Sequence, residues 1–143
     1  MATVTETYLG NLRVECVHTL SGTKLCTTPT PDHGGAGDSF SPTDLCAAAL
    51  GACALSVLAT YAENHGLDVS GTRLEINKSM TSGSPSRIGR LEVTFHMPAR
   101  PYSQKEKTVM ERAAKTCGVH HSLHPDVEQV FIFDWPDAAP GAA

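Results

Sequence analysis

The residues able to do covalent chemistry fall in two clusters. Cys53 lies between Ala52 and Ala54 in a stretch of small side chains that lets another group approach the sulfur. A cysteine reacts as the thiolate, so this position would need a nearby cation or hydrogen-bond donor to lower its pKa. Cys46 stands seven residues earlier on the same helical face and competes for the same role, and spacing alone does not choose between them. The second cluster is Cys117-Gly118-Val119-His120-His121-Ser122-Leu123-His124, one thiol and three imidazoles in eight residues. Its histidines could stabilise a thiolate at Cys117. They could also hold a soft metal, because Cys117 to His121 and His120 to His124 are both four apart, the spacing of one helical face. No paired C-x-x-C unit supports a zinc site, and Pro125 limits any helix there. Cys16 and Cys26 fall in strand-like segments and read as packed small apolar groups.

The elements that would carry these residues can be read from periodicity and punctuation. Residues 3 to 28 alternate as strands, with a turn at Leu20-Ser21-Gly22-Thr23-Lys24. Residues 28 to 41 are rich in Pro, Gly and Asp and form a long loop, of the length often reserved for function. Asp32-His33-Gly34-Gly35 inside it lacks the Lys-Ser/Thr pair of a nucleotide-gripping loop. Ser41 caps the next helix, Pro42 sits where a missing amide hydrogen costs nothing, and Asp44 faces the positive helix end. From Leu45 to Tyr61 that helix is apolar on nearly every side, so burial all round is expected, and Gly66 closes it as a left-handed cap. A chain of 143 residues can hardly enclose such a helix alone, so a partner subunit is expected to cover part of it. Two alternating strands, 69–79 and 88–97, follow as a hairpin, then an amphipathic helix over 103–116 and a last strand over 127–135. This order predicts an α+β fold with an antiparallel sheet wrapped around a buried central helix. One domain is expected over 1–143, with 136–143 as a frayed tail.

Composition narrows the function classes. A net charge of −4 argues against a nucleic-acid partner, which would call for concentrated positive charge. No run is read as the ~20 apolar residues of a membrane span, and the first residues lack the pattern of a secretory signal. Five scattered cysteines do not make a disulfide scaffold and point to a reducing, cytoplasmic compartment.

Three segments together, Ser41-Pro42-Thr43-Asp44-Leu45, Ala48-Ala49-Leu50-Gly51-Ala52-Cys53 and Cys117-Gly118-Val119-His120-His121-Ser122-Leu123, resemble the OsmC/Ohr family of thiol peroxidases, with the pattern closest to a divergent OsmC-like branch. The resemblance implies an intertwined homodimer with active sites at the subunit interface. It also implies reduction of organic hydroperoxides in oxidative-stress defence, without metal or other cofactor. By motif position Cys53 corresponds to the peroxidatic cysteine and Cys117 to the resolving one, which separates Cys53 from Cys46. A dithiol or lipoyl-type reductant would restore the pair. In characterised peroxidase branches a Glu follows the helix-opening Pro and orients an Arg. Here that position is Thr43, followed by Asp44, and Arg13 is the only arginine before Cys53. The groups tuning the thiolate are therefore sought among Asp44, Thr43, Arg13, His120 and His121. Two other classes compete: a non-catalytic module binding an apolar ligand at the dimer interface, and a metal protein using Cys117 with His120, His121 or His124.

Overall fold

Alternation at the start of the chain becomes a three-stranded antiparallel sheet in the computed structural model, which describes residues 1–138. Strands β1 (Val4–Gly10), β2 (Arg13–His18) and β3 (Lys24–Thr27) pair in sequence order. Asn11 and Leu12 are both left-handed, with φ of 54° and 62°, so the first turn takes Leu12, which alternation alone had placed in a strand. The second turn falls at 19–23 as expected, closed by the Gly22 amide donating to the His18 carbonyl at 2.8 Å. The Pro/Gly-rich loop holds a single 3-10 turn, Pro31–His33, and is tied internally where the Ala36 amide donates to the Thr28 hydroxyl at 3.2 Å. Val4, Tyr8, Leu9, Leu20, Leu25 and Phe40 are all exposed in this region.

The chain forms two compact units, Met1–Cys46 and a second from Ala47 onward. The long helix α1 (Pro42–Asn64) begins in the first and runs through the second. Its start is a reciprocal cap: the Asp44 amide donates to Ser41 Oγ at 3.1 Å while the Ser41 amide donates to Asp44 Oδ2 at 2.9 Å. Its end is the left-handed Gly66, φ 68°, with the Leu67 amide reaching back to the Ala62 carbonyl at 2.8 Å.

Within one chain, burial of α1 is confined to a stripe. Ala47, Leu50, Gly51, Ala54, Leu58 and Ala62 are buried, a stripe with the helical repeat, whereas Cys46, Ala49, Ala52, Ser56 and Thr60 are exposed. One chain covers one face of the helix. Where the sequence reading found no run of membrane-spanning length, α1, with 23 residues and an 18-residue stretch of mean hydropathy 1.9, is long and apolar enough by length and composition alone, a test that a core helix also passes.

In the second unit, β4 (Arg73–Met80) pairs antiparallel with β5 (Ile88–His96). β6 (Glu128–Asp134) then pairs with β5 in parallel, which corrects the all-antiparallel expectation. The cause is the crossover through α2 (Gln104–Ala114) and α3 (Gly118–Ser122), which returns the chain to the starting edge instead of turning it back. Leu91, Val93, Phe95 and Met97 point inward and pack with the buried stripe of α1 and with Met110, Ala114 and Cys117. Gly51 marks the closest approach of helix and sheet: a Cβ there would lie 2.7 Å from Ile76 Cδ1. α2 opens on the capping box Ser103/Glu106, with bonds of 3.1 and 2.7 Å, and its outer half is pinned by Trp135 Nε1 donating to Glu111 at 2.9 Å. The expected tail is described only to Ala138; residues 139–143 lie outside the described residues.

The link from α1 to β4 is held to the link from β5 to α2 by polar contacts. Asp68 pairs with Arg100, accepts the Ser70 amide at 2.8 Å, and its carbonyl accepts from Tyr102 Oη. Ser70, through hydroxyl and amide, and then Arg100 hold the Asp68 carboxyl down at about 2. A depressed carboxyl contributes stability that is complete above its unfolded pKa, about 3.9, and lost as the pH falls through its folded value. Thermal melts between pH 5 and 2 should therefore show Asp68→Asn losing less stability on acidification than the wild type, the difference accruing between about pH 4 and pH 2. Parallel acid profiles would dismiss the effect. The side chain is largely exposed, so the contribution is modest.

Candidate functional site

Cys53 stands half-buried on α1, and Cys117 is fully buried at the residue preceding α3. They are 64 positions apart in sequence, and the fold of the second unit sets them against each other. The amides of Val119 and Gly118 and the Cys117 thiol face the Cys53 sulfur as donors. Together, led by the Val119 amide, they lower the Cys53 pKa against the opposing effect of burial. Cys117 shifts the other way. Burial raises its pKa, and a neighbouring Cys53 thiolate raises it further, against the His120 amide, which donates to Cys117 Sγ at 3.3 Å. The pair is thus differentiated, with Cys53 the more acidic sulfur and Cys117 the less acidic one. All five cysteines are free.

The turn carrying these donors is short, from Gly118 to Ser122, and begins with Cys117 in an extended conformation that lets its own sulfur accept the His120 amide. The His120 ring packs edge-on against Phe131 at 5.3 Å and against His121 at 5.0 Å. Its Nδ1 lies 2.6 Å from Gln129 Oε1, and Gln129 Nε2 donates to the His120 carbonyl at 3.0 Å. His121 is exposed on the outer side of the turn.

Asp44 is engaged in the Ser41 cap, and Thr43 Oγ1 is 3.3 Å from Ser41 Oγ. Arg13 is paired with Asp38 at 2.7 Å within the N-terminal unit, and its guanidinium holds the Asp38 carboxyl below its ordinary range. Cys46 is exposed on α1.

The metal alternative does not find its geometry. α3 ends at Ser122, so His120 and His124 do not share a helical face, and His124 Nδ1 accepts the Asp126 amide at 3.0 Å. Among the described residues no three His, Cys, Asp or Glu side chains gather as a metal site. A cavity of about 240 Å³ lies in the second unit, but its lining, including Leu55, Ala59, Glu63 and Asp68, contains neither Cys53 nor Cys117.

Three groups at the site escaped the sequence reading. The Val119 and Gly118 amides are backbone and leave no residue-type signal. Gln129 did leave one, as a polar side chain directly before the apolar run Val130 to Phe133, but only the fold shows what it meets.

Comparison with known proteins decides the family. The profile named OsmC-like protein matches residues 35–129, a stretch that holds Cys53 and Cys117. The chain belongs to the OsmC-like family. A protein from Psychrobacter arcticus 273-4, described provisionally as an osmotic stress induced and detoxification response protein, is 32% identical. Its fold superposes with a TM-score of 0.89 over 94% of this chain and 96% of that one. An organic hydroperoxide resistance protein OsmC from Legionella pneumophila shares the fold at 18% identity and a TM-score of 0.71, covering 94% of this chain and 98% of that one. An organic hydroperoxide resistance protein from Elizabethkingia anophelis does so at 16% identity and 0.73, covering 94% and 97%. A comparison with curated protein sequences gives no match. Within the OsmC-like fold this chain thus has two small sheets and a long central helix, and some of its structural relatives are organic hydroperoxide resistance proteins.

Proposed function

We propose that this OsmC-like protein is a cysteine-based reductase of organic hydroperoxides. The observation that carries the reading is that the fold brings the Cys53 thiol beside the buried Cys117 thiol and the amides of Gly118 and Val119, surroundings that lower the pKa of Cys53 and raise that of Cys117. Cys53 is assigned as the peroxidatic residue. Its thiolate attacks the terminal oxygen of ROOH, the O–O bond breaks, and the alkoxide takes up a proton to leave as ROH, with Cys53 oxidised to the sulfenic acid. Cys117 then attacks the Cys53 sulfur. The sulfenic oxygen leaves with the Cys117 proton as water, and a disulfide remains. A dithiol, of lipoyl or similar type, reduces the disulfide by two exchange steps and is itself oxidised. No step calls on a metal or another cofactor.

The working unit is assigned as a homodimer. The uncovered face of α1 and the exposed apolar side chains of the N-terminal unit support this, since such surfaces are normally buried in an interface. Five free thiols support a reducing, cytoplasmic setting.

The test is turnover of the reduced protein with cumene hydroperoxide and with hydrogen peroxide, coupled to a dithiol. The expected result is multiple turnovers with the organic substrate, faster than with hydrogen peroxide. Failure to consume cumene hydroperoxide in the presence of dithiol would overturn the assignment. A ligand-dependent rise in melting temperature without turnover would favour a binding module instead.

A further inference from the structure

The parallel register of β6 places Gln129 beside Leu91, Phe131 beside Val93 and Phe133 beside Phe95. All three β5 neighbours are buried, so Gln129 is a carboxamide on the core-facing side of the strand. A polar group in such a place costs free energy unless its hydrogen bonds are made, and Gln129 makes two, both to His120. The His120 carbonyl can only accept, which assigns Nε2 of Gln129 as the atom facing it and Oε1 as the atom facing the ring. Oε1 in turn can only accept, so His120 Nδ1 carries the proton and Nε2 is the basic ring nitrogen. His120 is also the residue whose amide donates to Cys117 Sγ, and it directly follows the two residues whose amides face Cys53.

We propose that Gln129 is a positioning residue of the two-sulfur site: by gripping His120 at both ring and carbonyl it fixes the Nδ1–H tautomer and holds the 117–120 turn in the pose that aims its amides at Cys53 and Cys117. Gln129 touches neither sulfur and acts through this turn. The inference deepens the proposed function and rests on it for its catalytic meaning, while its physical content is the state of one imidazole and one thiol.

Two variants separate the bonds. Gln129→Met keeps the length of the side chain and removes both contacts. Gln129→Glu retains an acceptor for the ring N–H and loses the donor to the carbonyl. Nitrogen-15 spectra of the imidazoles should show His120 as the Nδ1–H tautomer in the wild type and in Gln129→Glu, and a shift toward Nε2–H in Gln129→Met. The pH profile of Cys53 alkylation, followed by peptide mapping, should move to higher pH in Gln129→Met, with the rate at neutral pH falling roughly threefold to tenfold, the worth of about one hydrogen bond. Gln129→Glu should recover part of that loss. An unchanged alkylation profile in a folded Gln129→Met protein would overturn the proposal. If that variant does not fold, a wild-type His120 found as Nε2–H, or a Gln129→Glu profile identical to wild type, would do so. Neither readout uses a peroxide, so a wild type without hydroperoxide turnover would fail the proposed function alone.

Discussion

Replacing Cys53 with serine is expected to lower dithiol-coupled consumption of cumene hydroperoxide by on the order of a thousandfold or more, to the background of free dithiol. A serine hydroxyl beside the Val119 and Gly118 amides does not ionise near neutral pH, so the donors have no anion to stabilise. Cys117→Ser should behave differently. The first equivalent of peroxide is still reduced, because Cys53 and its two backbone donors remain, but no internal disulfide forms. Excess peroxide then carries Cys53 to the sulfinic acid, the step that condensation with Cys117 normally pre-empts. Rapid-mixing measurement of the first turnover and peptide mapping of Cys53 distinguish the two variants. Steady turnover by Cys53→Ser at the wild-type rate would remove this residue from the mechanism. A Cys117→Ser protein cycling as well as wild type would assign resolution to the external thiol.

The largest effect on stability is expected at Phe95. Its side chain is fully buried at the centre of the second sheet and stacks on Phe133 at 4.4 Å and Phe131 at 6.0 Å between ring centroids. Truncation to alanine removes the apolar area and opens a cavity that strands on either side cannot collapse into, a loss of about 3–5 kcal/mol. That is a large part of the roughly 5–15 kcal/mol by which domains are stable. Urea denaturation should show the midpoint falling sharply. Because β6 packs on Phe95 through Phe131 and Phe133 and also carries Gln129, the same variant should loosen the 117–120 turn before global unfolding. A change below about 1 kcal/mol, the size of an ordinary substitution, would mean that the aromatic stack does not anchor this sheet.

Much of the architecture was legible in the residues. The Ser41-Pro42-x-Asp44 start, the apolar run behind it and Gly66 at its end define α1 because each is a local device: a side-chain cap, a proline without an amide hydrogen to lose, a glycine free to turn left-handed. Alternation located most of the described strands to within a few residues, since period two is imposed by the pleat itself. The amphipathic pattern over 103–116 marks α2, whose Ser103/Glu106 capping box the structure adds. Where the reading failed, the deciding interaction was not local. Whether β6 pairs with β5 in parallel depends on how the chain crosses over through α2 and α3, and no residue within β6 records it.

The division is the same at the site. The sequence by itself determined which residue types could react, placing a thiol amid small side chains at Cys53 and another beside histidines at Cys117. Type and spacing left the two sulfurs independent and offered only the neighbouring histidines to tune Cys117; the family resemblance paired the sulfurs and added Arg13, Asp44 and Thr43 as candidates. Tertiary structure decided the rest. It set Cys53 against the turn that follows Cys117, supplied backbone amides where charged side chains had been sought, and put Gln129 behind that turn. The physical reason is that a thiolate responds to whatever donor lies within hydrogen-bond reach, and an amide hydrogen is carried by every residue except proline. Its usefulness is a matter of aim, and aim exists only after the chain has folded.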